Sequence, residues 1–418
     1  MTAESGSLAK GLFAVVAGSL VLGQSTPSRH AESVADSVTL TIIGAPDTVF
    51  RAPDQACEQN DRPDGYAHAV RTSAGIMLLS GNAFGNYVMT GPDLDHLTRD
   101  CRHPRLLSAN KPDPSSFLGR EWIVATYRVG SIIHALVHNE FHDAVSPLCM
   151  PGESGPANPC WYNAVTYAIS NDDGVTFHQG ADLVVAAPTS RWNPQRGAPA
   201  GKRSRLYGYF GPSGIVRRSD GYYYSTFVVI NNPDSARGTC VMRTRDLSNP
   251  KSWRAWDGKA FTHQFDNPYS PTTTEPSQAC AAVSPDLIHD FGGSLTYNAY
   301  LNRFVLTGFS TRQPGPGPKP CGFAFSFSAD LVTWTRPQVF ATADPPSKDA
   351  PDCIRGDLGM AYYPSLIDPS DSTTNFEMTG RTPFLYYVSG LGSPRRALIR
   401  VRVRFDDLSR APSGGANE

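Results

Sequence analysis

The sequence predicts an all-β chain: a five-bladed β-propeller with four antiparallel strands per blade and a ring closed by an N-terminal strand. Three observations carry that expectation. Turn formers are abundant, with 37 Gly and 35 Pro in 418 residues, many in clusters such as Asn231-Asn232-Pro233-Asp234 and Gly315-Pro316-Gly317-Pro318, and many turns imply many short strands. Of the 38 acidic residues only 9 are Glu and 29 are Asp. Glu is the better helix former, whereas Asp favours caps and turns, so the composition argues against a helical bundle. Finally, the chain repeats: Thr90-Gly91-Pro92-Asp93, Ser170-Asn171-Asp172-Asp173, Thr244-Arg245-Asp246-Leu247 and Ser328-Ala329-Asp330-Leu331 each run from a strand into an Asp turn. Asp93, Asp172, Asp246 and Asp330 lie 79, 74 and 84 residues apart, the length of one blade with long loops.

Taken in chain order, Lys10 precedes the apolar run 11–23, which reads as a secretory signal peptide over 1–23, with a retained anchor as the alternative. A flexible N-terminus over 24–36 follows. No later run approaches the roughly 18 apolar residues that span a bilayer, so no stable membrane insertion is expected after cleavage. The propeller then occupies 37–407 as a single domain. A leading strand over 37–43 completes the last blade. Strand pairs rich in aromatic and β-branched residues follow at 66–79, 121–139, 215–230 and 294–309, with a fifth at 362–368 and 383–389 before the alternating strand Ala397-Leu398-Ile399-Arg400-Val401-Arg402-Val403. A disordered tail covers 408–418. Six blades with one degenerate is the second architecture, and a two-sheet sandwich, which leaves the repeats unexplained, the third. A monomer is expected.

The formal charge is −1, from 37 Lys and Arg against 38 Asp and Glu, which removes any electrostatic case for nucleic acid or anionic lipid as partner. Cys57, Cys101, Cys149, Cys160, Cys240, Cys280, Cys321 and Cys353 form an even set without a CxxC spacing, which argues for disulfides rather than zinc or thiol redox chemistry. Connectivity is open at this level. Sequential pairing closes the shortest loops, with 149–160 the shortest. Disulfides and the leader together predict a secreted or periplasmic protein.

In a four-stranded blade the loop into strand 1 and the loop joining strands 2 and 3 surround the mouth of the central funnel, and polar side chains there are the candidates for chemistry. The marker turns lie on the opposite face, where their aspartates are expected to tie the turn to backbone N–H groups. In the strand Ile132-Ile133-His134-Ala135-Leu136-Val137-His138-Asn139-Glu140-Phe141-His142, period-2 alternation sets His138, Glu140 and His142 on one face. The loop after it, pinned by Cys149–Cys160, leads into Cys160-Trp161-Tyr162-Asn163. Trp161 and Tyr162 next to a carboxylate suit sugar recognition, because aromatic rings stack on pyranose C–H faces while Asn139 and the histidines bond hydroxyls. His68 and Arg71 of the first strand pair join them as substrate binders. A metal on the His-Glu-His face is the competing reading, and a polar rim satisfied by its own loop the bland one.

Other acids at funnel loops are Asp61, Asp64, Glu121, Glu275 and Asp357. Glycoside hydrolysis needs two carboxyl groups, one protonated and one ionised. Asp64 is expected to be the base and Glu140 the acid, with Glu275 the alternative acid. No required cofactor or metal is expected; Ca²⁺ is admissible, since carboxylate and carbonyl oxygens converge in such a funnel. P-loop, G-x-S-x-G and G-x-G-x-x-G patterns are absent from the sequence. Arg217-Arg218 and Arg395-Arg396 read as solvated strand ends.

Ser328-Ala329-Asp330-Leu331-Val332-Thr333-Trp334, Gly211-Pro212-Ser213-Gly214-Ile215-Val216 with Asp220-Gly221-Tyr222-Tyr223, and Tyr363-Pro364-Ser365-Leu366-Ile367-Asp368 resemble recurring elements of the five-bladed propeller glycosidases, the glycoside hydrolase family 43 group. That resemblance implies an Asp base, a second Asp that tunes pKa and a Glu acid from three blades. Asp64 matches the base's place. The second place holds Glu121, taken as the tuning residue, and the third, Gly211-Pro212-Ser213, holds no acid, which moves the acid role to Glu140. Ser170-Asn171-Asp172-Asp173-Gly174-Val175-Thr176-Phe177 is similar to the Asp box of sialidases, and Phe50-Arg51-Ala52-Pro53 to their arginine motif, with Arg51 as a first substrate arginine. The expected activity is an exported glycoside hydrolase acting on a poly- or oligosaccharide, arabinan-like glycans among the candidates. A non-catalytic carbohydrate-binding propeller, a sialidase-like hydrolase and a polysaccharide lyase are the alternatives.

Overall fold

The computed structural model describes residues 37–143, 145–146, 149, 160–194, 205–230, 237–271, 280–312, 316–345, 353–390 and 393–410. The leader over 1–23, the segment 24–36, Glu275 and the tail beyond residue 410 lie outside the described residues.

The described chain is almost entirely β, folded into curled antiparallel sheets, with a one-turn helix Pro285–Ile288. Unit one pairs His68–Thr72, Gly75–Leu79, Val88–Gly91 and Thr98–Asp100 in chain order. Unit two pairs Arg120–Val129, Ile132–His142 and Cys160–Ser170, with Val184–Ala186 on its outside. Unit three is built from Val216–Arg217, Tyr223–Ile230, Arg237–Thr244, Arg254–Trp256 and Phe261–Gln264. Unit four pairs Gly293–Asn298, Arg303–Ser310, Gly322–Ser328 and Gln338–Thr342. Unit five pairs Ala361–Ile367, Phe384–Ser389 and Ala397–Asp407, and its last strand takes the leading strands Val38–Ile42 and Asp47–Arg51 as partners. The chain's first strand thus covers the edge of its last sheet, which would otherwise carry unpaired N–H and C=O groups.

One feature departs from independent four-stranded units. Arg205–Phe210 runs parallel to Cys160–Ser170 and antiparallel to Tyr223–Ile230, fusing units two and three into one ten-stranded sheet. Gly208, at φ +120°, makes this possible, because a Cβ there would meet the Asn163 carbonyl at 2.1 Å.

Alternating strands bury side chains on both faces, and five apolar clusters fill the spaces between successive units. Met77 with Ile123 joins one to two, Leu136 with Phe227 two to three, Tyr224 with Leu306 three to four, Val305 with Leu385 four to five, and Leu398 with Leu78 five back to one. A cavity between the first strands is lined from all five units, by His68, Val124, Ile215, Leu295 and Leu366 among others.

The segment 368–379 of unit five closes one end of that cavity. Arg71 N donates to Thr374 O at 2.8 Å, Arg128 N to Asn375 Oδ1 at 2.6 Å, Arg217 N to Glu377 Oε2 at 2.6 Å and Tyr297 N to Glu377 O at 2.9 Å. Each donor belongs to a different one of the other four units.

The four marker aspartates do what the repeat predicts. Asp93 Oδ1 accepts from Asp95 N and His96 N, Asp172 Oδ1 from Thr176 N, Asp246 Oδ1 from Ser248 N, and Asp330 Oδ1 from Val332 N and Thr333 N. All four sequential disulfides form: Cys57–Cys101, Cys149–Cys160, Cys240–Cys280 and Cys321–Cys353. Among the described residues no helix is long and apolar enough to cross a membrane.

Asn375 acts as a short strand of its own, accepting from Arg128 N and donating Nδ2 to Arg128 O at 3.2 Å. Asn375→Ala leaves both backbone groups unpaired and is expected to lower stability by about 1–3 kcal/mol. Urea unfolding measures this, and an unchanged midpoint would remove the segment's bracing role.

Candidate functional site

The site is built where units one, two and five meet at the end of the cavity opposite segment 368–379. Asp64 stands in the loop into the first strand of unit one, its N–H donating to Ser80 O at 3.1 Å. Gly81, at φ +75°, lets this loop approach, since a Cβ there would meet Asp64 O and Gly65 Cα at 3.1 Å. The Asp64 carboxylate takes an ion pair from Arg396 Nη1 of unit five and lies 3.5 Å from the Tyr363 hydroxyl. Tyr363 has φ +58°, a left-handed conformation uncommon for an aromatic residue and held here by its surroundings. Its ring packs edge-on against Tyr66 at 5.2 Å and Tyr362 at 4.9 Å.

Glu140 comes from the long second strand of unit two. His138 Nε2 lies 3.0 Å from Oε1 and His142 Nε2 2.7 Å from Oε2, and Asn163 Nδ2 donates to Oε1 at 3.2 Å. Gly211 N donates to His138 Nδ1 at 3.2 Å, so that nitrogen is the acceptor and the ring proton sits on Nε2, where it faces the carboxylate. The His142 ring stacks on Trp161 at 5.1 Å.

These surroundings push the two carboxyls apart. Burial raises Asp64 above the usual carboxylate range; the Arg396 guanidinium opposes this, and the Glu140 charge adds to the rise. Burial also pushes Glu140 upward, but the hydrogen bonds and electrostatic pull of the His138 and His142 rings outweigh it and hold the group at about 2. The protonation order is therefore the reverse of the roles expected from sequence: Glu140 is the firmly ionised group, and Asp64 the one that holds a proton more readily.

Strand register sorts the remaining candidates. Residues directly opposite on an antiparallel pair point to the same face. Glu140 pairs with Asn163 and His142 with Trp161, whereas Phe141 pairs with Tyr162. Asn163 and Trp161 therefore belong to the site. Tyr162 does not: it is 1% exposed, stacks on Tyr207 at 5.5 Å and donates its hydroxyl to Ser190 O at 3.0 Å. Asn139 and Glu121 are paired on the face turned away from Glu140. Glu121 is fully buried, and its oxygens accept from Ala109 N at 3.2 Å and Gln179 Nε2 at 2.6 Å, while burial raises its pKa. It braces units one and two rather than tuning Asp64. Arg71 is corrected as well. Three residues beyond His68, roughly 10 Å along a strand, it reaches the far end of the cavity, donates to Thr373 O and Asp371 O, and stacks on Phe376.

Other acids at the loops are committed elsewhere. Asp61 is paired with Arg99 and accepts from Asn82 Nδ2, and Asp357 is tied to Thr342. Arg51 is exposed and donates to its own strand at Thr48 Oγ1, outside the funnel. Arg396, read from sequence as a solvated strand end, is instead the partner of Asp64, with its side chain 14% exposed. Tyr363 was visible only as part of a strand opening.

No family model matches the chain, and no curated protein matches it. Among solved structures it is similar to Zg3597, a family 117 glycoside hydrolase of Zobellia galactanivorans, with a TM-score of 0.47 and 10% identity over 88% of this chain and 91% of that one. It is also similar to a thermostable family-43 glycoside hydrolase, with a TM-score of 0.43 and 12% identity over 85% and 96% of the two chains. An α-L-arabinanase of Penicillium chrysogenum gives a TM-score of 0.40 and 10% identity over 84% and 78%.

His68 lines the cavity below Asp64, and neither ring nitrogen has a hydrogen-bond partner. Burial lowers its pKa from 6.5 to about 4, against a weaker opposing pull from the Tyr66 backbone. The unfolded chain therefore binds a proton here that the folded chain refuses. The His68 contribution is fully present above pH 6.5 and falls by about 3 kcal/mol as pH drops from 6.5 to about 4. His68→Gln should flatten this loss, measured by urea unfolding at pH 7 and pH 4. A variant losing as much stability as the parent over that interval would refute the assignment.

Proposed function

We propose that the chain is an exported glycoside hydrolase with a closed five-bladed β-propeller fold, acting on a poly- or oligosaccharide in the funnel between units one, two and five. The closed ring is supported by the fifth apolar cluster returning from unit five to unit one and by a cavity lined from all five units. Export is supported by four disulfides, which persist in oxidising compartments.

The observation that carries the activity is the pair Asp64 and Glu140, two carboxyls from different units whose surroundings shift them in opposite directions while their charges act on each other. Such a divergence suits acid–base work. Asp64 is the proton donor to the glycosidic oxygen as its bond to the anomeric carbon breaks. Glu140, held ionised, takes the proton of the water whose oxygen bonds to that carbon. Tyr363 and Arg396 orient Asp64; His138, His142 and Asn163 orient Glu140. Trp161, stacked beside His142, offers an aromatic face to a sugar ring. Ca²⁺ is not required by this scheme, and a single chain contains every group it uses.

The test is release of reducing ends from plant, bacterial and mycobacterial polysaccharides, arabinan included. Asp64→Asn and Glu140→Gln should each lower turnover about 10²–10⁴-fold with thermal unfolding retained. Turnover should be highest at acidic pH and fall toward neutrality, because Asp64 loses its proton as pH rises through its raised pKa. Full turnover in Glu140→Gln would overturn the assignment. A glycan held without cleavage by the parent protein would instead identify a binding module.

A further inference from the structure

The acid–base pair leaves one side of the funnel unexplained: its hydrogen-bond donors outnumber its acceptors. The Arg396 side chain is 14% exposed, spends Nη1 on Asp64, and has its Nε buried with no acceptor. Arg120 lies directly across the strand pair from Glu140, with its guanidinium over the Phe84 ring, and its Nε is also buried without a partner. The Trp122 Nε1–H, opposite His138 in the same register, is a third buried donor without an acceptor. Arg62 adds another positive charge that acts on Asp64.

Both carboxylates nearby are already committed, and Asn163 Oδ1, a buried acceptor without a partner, does not balance three such donors. Asp64 is engaged by Arg396 and approached by Tyr363, and Glu140 by two histidines and an asparagine. Buried donors in native proteins are nearly always satisfied, and a guanidinium is built for two-point binding of a planar or tetrahedral anion. A neutral sugar hydroxyl can accept one hydrogen bond but leaves the positive excess unanswered.

We propose that the funnel takes an anionic sugar, one carrying a carboxylate or a sulfate ester beside the scissile bond, and that Arg396 is the group that recognises the anion. This rests on the glycosidase reading and names its substrate class. The anion would occupy the free side of the Arg396 fork. It would also bring a like charge close to Asp64, favouring the protonated form that the donor role needs.

The experiment compares matched pairs: oligogalacturonate against its carboxyl-reduced form, and a sulfated carrageenan oligosaccharide against its desulfated form. Binding is read by calorimetry on the full-length Glu140→Gln protein and turnover on the parent. The expected result is at least tenfold tighter binding of one charged member than of its neutral counterpart, weakening as salt is raised. The pair that discriminates identifies carboxylate or sulfate. Arg396→Met, added to Glu140→Gln, should abolish the preference, and Arg396→Lys, which keeps the charge and guards against a folding defect, should retain part of it. Equal affinity within both pairs, or no binding of either charged member, overturns the proposal. Preferential binding without cleavage by the parent would overturn the hydrolase reading and leave the anion site standing, whereas equal cleavage of charged and neutral forms would do the reverse.

Discussion

The structure depends on how the first strands of the units satisfy their inward edges. A first strand has a neighbour on one side only, and its other edge faces a cavity where unpaired backbone groups are costly. Segment 368–379 answers this at one end by accepting from Arg71, Arg128, Arg217 and Tyr297, one from each of the other units. Asn375 does so with its side-chain oxygen, and Glu377 with both its side chain and its backbone carbonyl. The strands are thereby set at fixed heights relative to one another. Their opposite ends, which carry Asp64 and lie beside Glu140, inherit that alignment.

At the other end the same burial acts on two carboxyls. Desolvation penalises charge on both carboxyls, and the outcome differs only because of what was placed beside each. Two imidazoles beside Glu140 outweigh its burial, while at Asp64 burial and a repelling carboxylate prevail over Arg396 and the weaker pull of Arg62. Residue type alone suggested the opposite order. Shifts of this kind depend on partners several hundred residues away in sequence, as Arg396 is from Asp64.

Alternation is a second constraint that runs through the whole molecule. It correctly grouped His138, Glu140 and His142, since that grouping is internal to one strand. It also required that Trp161 and Tyr162, adjacent in sequence, face opposite ways, so only one could join the site. Register decided which one: Trp161 lies opposite His142 and Tyr162 opposite Phe141. The same register brings in Asn163 and takes Asn139 and Glu121 to the interface between units one and two. Arg71 was misplaced for a related reason, because a strand leaving the funnel carries its later residues to the far face.

What the sequence by itself determined is local or cumulative. The Asp turns, the strand-rich composition and the repeat of units follow from short-range turn chemistry and alternation, which act within tens of residues. The face shared by His138, Glu140 and His142 is of the same kind. Tertiary structure alone decided the strand Arg205–Phe210 that fuses two units, the bracing by segment 368–379, the pairing of Arg396 with Asp64 and the inverted protonation order. Each of these rests on contacts between distant segments. Their energies come from desolvation, charge and unpaired backbone groups, quantities that exist only once the chain has closed around them.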